Sequence, residues 1–157
     1  MRLPYGTYAA IHVEGVTAVR RAFTAIELTI VICILGVLSA IAMPAAATLL
    51  DRIRVRAAVT EIESLFGAAR HGAIARGMLA SVEIDAASRT ISVTIGGDTV
   101  RLAKVGSEHG VELAANRAGM AYSPTGVGYG AANLSVFVRR SSIVDTIVVS
   151  RLGRVRH

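Results

Sequence analysis

The chain has one cysteine, Cys33, so no internal disulfide can brace it. Its four histidines, His12, His71, His109 and His157, are scattered, without the HxxxH type of spacing. With Cys33 inside an apolar run, no metal-ligand set is readable, and no metal or cofactor is expected. There is no tryptophan, and aromatic side chains are missing from the C-terminal tail, which therefore lacks a stacking platform for bases. No nucleophile–base arrangement stands out. Glu61 and Glu63, two apart on a predicted helix, face different sides and are expected to be solvated or to pair with arginines. Gly126-Val127-Gly128-Tyr129-Gly130 is glycine-rich, but lacks the preceding strand and following helix of a nucleotide-binding fingerprint. The chain is expected not to be an enzyme.

What is there is a long stretch without charge. From Leu28 to Leu50, 23 residues carry none, with Arg20 and Arg21 before them and Asp51, Arg52, Arg54 and Arg56 after. At ~1.5 Å per residue this run reaches roughly 35 Å, enough to cross the hydrocarbon core of a bilayer. Glu27 stands at its upstream edge, where a carboxylate is costly if drawn inward, on the order of 2.5–3.5 kcal/mol at mid-bilayer. Either Glu27 stays solvated at the interface, or a cation meets it. A cut between Ala22 and Phe23 would create an amino group four residues upstream, on this chain or a neighbour, able to neutralise it.

Ala22-Phe23-Thr24-Ala25-Ile26-Glu27-Leu28 resembles the cleavage and methylation motif of type IV prepilins and type II secretion pseudopilins. The resemblance implies cleavage by a prepilin peptidase between Ala22 and Phe23, N-methylation of Phe23, and a role in assembly for Glu27. It also implies a helix kink at Pro44. Ala22, which is also small, stands where that family usually has Gly, and Ala25 where Leu is common, a minor departure. A rival, cleavage by an ordinary signal peptidase after Ala40-Ile41-Ala42, is opposed by Pro44, by the length of the run and by Glu27.

The expected organisation is a leader over 1–22, a transmembrane and assembly helix over 23–50, and a pilin-like globular domain over 51–157. The leader carries Arg2, Arg20 and Arg21 against Glu14, a net +2, leaving +4 of the total +6 on the remainder. Arg20 and Arg21 favour a cytoplasmic N-terminus, although Arg52, Arg54 and Arg56 blur the asymmetry. The resemblance implies a single-pass inner-membrane protein with its C-terminal domain periplasmic or outward-facing. Beyond Asp51 the helical period continues through Ile53, Val55, Val59, Ile62, Phe66 and Ala69, with Ala58, Leu65 and Ala73 on the same side, and is expected to end near Arg76. Pro44 is expected to kink this helix or loosen one turn.

After Gly77 the period changes to alternation. Strands are expected over 81–85, 90–95 and 99–102, with a hairpin at Gly96-Gly97-Asp98. Short strands are expected at 111–113 and 119–123, a loop over 124–133, and a last hairpin over 134–140 and 143–150. The fold class is α+β, a long N-terminal helix packed on antiparallel β-sheet. Ala69-Arg70, Ala73 to Gly77, Tyr122 to Gly126, Ile147 to Ser150 and Gly153-Arg154 resemble, in their order, the GspH/FimT branch of pseudopilins. This implies a minor pseudopilin whose partners are other pilins or pseudopilins in a filament. Residues 139–157 carry five arginines against Asp145. Within them Gly153-Arg154-Val155-Arg156 resembles the C-terminal pattern associated with DNA binding in FimT-like minor pilins. In an extended tail Arg154 and Arg156 share one side and suit adjacent phosphates. DNA binding is therefore the alternative reading, against that of a solvated basic end.

Overall fold

The computed structural model describes residues 23–129 and 133–157. The chain divides into two units, 1–40 and 41–157. Helix α1, Ala25–Arg76, begins after Thr24, and its helical backbone continues through Pro44. It ends where the periodicity predicts: Gly77 takes a left-handed φ of 61°, and the amide of Met78 donates to the Ala73 carbonyl at 3.2 Å. The expected start at Phe23 is two residues early.

In 41–157, α1 presents one apolar stripe, Val55, Ala58, Val59, Ile62, Leu65, Phe66, Ala69 and Ala73, all buried. Ile53, expected on that stripe, is exposed. The stripe packs into a core supplied by alternate residues of two antiparallel sheets. The first sheet has the order β3-β2-β1-β5-β6, from β1 (Ala80–Asp85), β2 (Thr90–Ile95), β3 (Asp98–Ala103), β5 (Gly119–Tyr122) and β6 (Gly128–Tyr129). The second is β4-β7-β8-β9, from β4 (Glu112–Ala115), β7 (Leu134–Arg140), β8 (Ile143–Val149) and β9 (Val155–Arg156). Because side chains alternate, Val82, Ile84, Ile91, Val93, Val136, Val138, Ile147 and Val149 point inward as a set. No charged residue is buried among the described residues.

The turns follow their chemistry. Gly96 and Gly97 join β2 to β3 with φ of 64° and 98°, both left-handed, as a two-residue hairpin turn requires. Asp85 caps the β1–β2 turn by accepting from the Ala87 amide at 2.9 Å and the Ser88 hydroxyl at 2.6 Å. Its carboxyl is held below the usual range, chiefly by the Ser88 hydroxyl.

Several expectations are corrected. A short helix α2, Val105–His109, lies between β3 and β4 and so links the two sheets; five residues are too few to show a period. The loop over 124–133 contains β6, with 130–132 outside the described residues. The C-terminal tail is a strand, β9, paired to β8 through Val148↔Arg156 and Val149↔Val155. Glu61 and Glu63 pair with histidines instead of arginines: Glu61 with His109 and Glu63 with His157, each at 2.7 Å. Both contacts fasten the β-rich part to α1. Asp51 adds a third, accepting from Arg140 Nε at 2.6 Å and from the Ser141 hydroxyl at 2.8 Å. These bonds hold its carboxyl below the usual range, Arg140 first and Ser141 second.

Candidate functional site

Thr24 and Glu27 close the first turn of α1 on each other. The Thr24 hydroxyl accepts from the Glu27 amide at 3.3 Å, and the Glu27 carboxylate accepts from the Thr24 amide at 2.8 Å. This is a capping box, two helix-end donors satisfied reciprocally. The Thr24 hydroxyl also donates to Glu27 Oε2 at 2.8 Å, so that oxygen takes both bonds. Oε1 has no hydrogen-bond partner among the described residues. The positive end of the helix dipole adds to the stability of the anion at this position. Thr24-Ala25-Ile26-Glu27 is a T-x-x-E signature, so this cap is written in the sequence. The arrangement is a carboxylate fixed to the helix start through one oxygen.

Downstream of it lies a surface without cover. Ile30, Ile32, Leu35, Val37, Leu38 and Met43 are all more than half exposed, and at 3.6 residues per turn they are spread around the helix. By length and composition this helix can cross a membrane. Cys33 is exposed within it as a free thiol. Phe23 is exposed, and Ala22 lies outside the described residues.

The second candidate is the basic end, which the fold divides. Arg139 pairs with Glu112 at 3.3 Å, and Arg140 with Asp51, so both are engaged within the domain. Arg151, Arg154 and Arg156 are exposed and make no ion pair among the described residues. Val155 packs on the core, which places Arg154 and Arg156 on the opposite, outer side of β9. The turn into β9 is fixed by Gly153, at φ 73°, and by the amide of Ser150 donating to the Arg154 carbonyl at 2.9 Å. Pairing across β9, β8 and β7 runs Arg156, Val148, Ser135. Phe137, two residues from Ser135, is therefore on the same outer face and is 40% exposed. Phe137 lies outside the tail and reaches this face only through strand pairing, which no local sequence pattern shows. The glycine-rich loop at Gly126 is structural: Arg70 Nε donates to the Gly126 carbonyl at 2.9 Å. Gly130 lies outside the described residues.

No protein-family model matches the chain, and no curated protein sequence does. Two solved structures share its fold, both crystal forms of the type IV minor pilin FimU of Pseudomonas aeruginosa. One aligns with a TM-score of 0.57 at 12% identity, over 69% of this chain and 90% of that one. The other aligns with a TM-score of 0.53 at 11% identity, over 64% and 90%. The long helix packed on antiparallel sheets is therefore the α+β fold of a type IV minor pilin.

Proposed function

We propose that the chain is a minor pseudopilin or pilin-like subunit. It is cut by a prepilin peptidase between Ala22 and Phe23, methylated at Phe23, and held in the inner membrane by residues 23–50 before it joins a filament. The filament is a type II secretion pseudopilus or a related type IV structure, and the partners are other pilins or pseudopilins. Residues 51–157 are the domain exposed outside the cytoplasm. In this reading the chain is a substrate of the peptidase and a structural component, not an enzyme.

The observation that carries the reading is the start of α1. A capped carboxylate, whose second oxygen has no hydrogen-bond partner among the described residues, stands at the mouth of an uncharged run whose side chains are all exposed. Such a run needs lipid or other helices around it. The carboxylate needs a cation once it leaves water, and the amine of a neighbouring Phe23 has that charge. The minor-pilin fold of the remainder supports the same conclusion.

Intact mass and N-terminal sequence of the membrane-extracted protein test it. A chain starting at N-methyl-Phe23 supports the reading. A start at Met1 reduces it to an uncleaved anchor, and a start at Met43 removes the helix on which assembly depends. Glu27→Ala is expected to leave membrane insertion intact and to abolish cross-linking to filament partners.

The second reading, DNA binding through Arg154 and Arg156, is favoured by their shared outer side and by the exposed ring of Phe137 on that face. Replacing both arginines by Ala should then weaken DNA binding by the full chain in detergent and lower its dependence on salt. Equal binding before and after replacement rejects this reading and leaves the first untouched.

A further inference from the structure

We propose that Glu61, Glu108 and His109 form a binding site for a divalent transition-metal ion of the zinc type. The proposal stands independently of the filament reading. Glu61 comes from α1, and Glu108 and His109 are the last two residues of α2. One donor atom from each lies within 4.8 Å of the others. The sequence shows no ligand spacing because Glu61 and His109 are 48 positions apart; the fold brings them together.

The set suits such an ion in size and charge. Donors at about 2.0–2.2 Å from a tetrahedral ion stand about 3.4 Å from one another. His109 Nε2 and Glu61 Oε2, now 2.7 Å apart, therefore open by less than 1 Å, and Glu108, which is exposed, rotates inward. Two carboxylates and a neutral imidazole carry the two negative charges that balance the ion. A mixed nitrogen and oxygen set suits zinc better than calcium, which takes six to eight oxygens. Three protein ligands leave a fourth position for water.

The backbone of His109 is held from outside the cluster. Arg140 Nη1 donates to the carbonyls of His109, at 3.3 Å, and of Gly110. That guanidinium is itself paired with Asp51, so it does not stand beside the site as an uncompensated positive charge. Binding requires the Nε2 lone pair. The His109–Glu61 hydrogen bond therefore gives way to two bonds to the ion, with the imidazole proton on Nδ1. The consequence is mechanical: α2 connects the two sheets, and the ion pins that connection to α1.

The test uses the full chain in detergent micelles, stripped with EDTA and titrated with zinc chloride by calorimetry, with thermal unfolding in parallel. One ion per chain and a raised Tm are expected, with calcium chloride binding at least tenfold more weakly. Glu108→Gln breaks no ion pair or side-chain hydrogen bond among the described residues. It is expected to lower zinc affinity by about tenfold or more and to remove the rise in Tm. His109→Gln should do the same, and His157→Gln should change neither. An adventitious ion only would appear as binding unchanged in Glu108→Gln, or as binding lost in His157→Gln; either result, or no saturable binding, overturns the proposal.

Discussion

The two halves of α1 are both rich in apolar residues and use them in opposite ways. From Leu28 to Leu50 apolar side chains point in all directions and none is buried. From Asp51 to Arg76 they form one stripe, buried against strands of the same chain, while Arg52, Arg54 and Arg56 stay exposed. What differs is the pattern of apolar residues. A stripe can be covered by the sheets of its own domain, whereas an apolar circumference must be covered from outside. Among the described residues, all buried apolar side chains lie between Val55 and Val149, and none comes from the uncharged run.

The sharpest way to break this comparison is one truncation in each half. Phe66 is fully buried, and Phe66→Ala is expected to destabilise the domain by about 3–5 kcal/mol in urea unfolding. Leu35 is exposed, and Leu35→Ala should leave the same transition where it is. A shift in both would mean that the first half contributes to the domain core. Next in size is Gly153→Ala. A Cβ there stands 2.9 Å from the Gly126 carbonyl oxygen and 3.0 Å from the Tyr122 ring, at a φ of 73°. The backbone oxygen cannot swing aside, so a loss of about 1–3 kcal/mol is expected. Faster amide exchange at the β8–β9 pairing would locate the damage.

Much of this was legible in the sequence, because the two halves of the helix and most strands have their own periods. The stop near Arg76, the strand at 90–95 and the two-glycine hairpin all follow from local patterns. The elements missed are short or depend on distant partners. Val105–His109 spans little more than one helical turn, and β9 is a strand only because β8 lies beside it. The Glu61–His109 and Glu63–His157 pairs cross 48 and 94 positions, so no spacing rule reaches them. At the candidate site, the bond of Glu27 with Thr24, three residues away, is legible as T-x-x-E.

A smaller effect tests how the exposed end of the domain helix is tied down. The Asp51 carboxyl is held below its ordinary range, first by Arg140 and then by Ser141. A depressed folded value means that this stabilisation is complete above the ordinary aspartate pKa of about 3.9 and is lost as pH falls below it. Wild-type Tm should therefore drop on acidification through that range, and Asp51→Asn should show a flatter slope. The pair is partly exposed, so the difference is smaller than that of a core truncation and shrinks in salt. Equal slopes would mean that Arg140 is held by the Gly110 and His109 carbonyls alone.

The smallest effect lies inside the buried stripe's own surroundings. Tyr122 is fully buried, and its hydroxyl has no hydrogen-bond partner among the described residues. Burial pushes its pKa up to about 12, with nearby Arg70 opposing slightly. A raised folded value means that the neutral phenol's contribution is intact below the unfolded pKa of about 10 and is lost as pH rises from there toward 12. Tyr122→Phe removes both the titration and the unpaired oxygen. At neutral pH it is expected to be neutral or stabilising by up to about 1 kcal/mol, because no bond is broken and a desolvated polar atom is removed. At pH 10.5 the variant should gain further on the wild type. Urea unfolding at the two pH values decides it. A loss beyond about 1 kcal/mol at neutral pH would mean that the hydroxyl is bonded to an ordered water, and that this core carries a polar anchor after all.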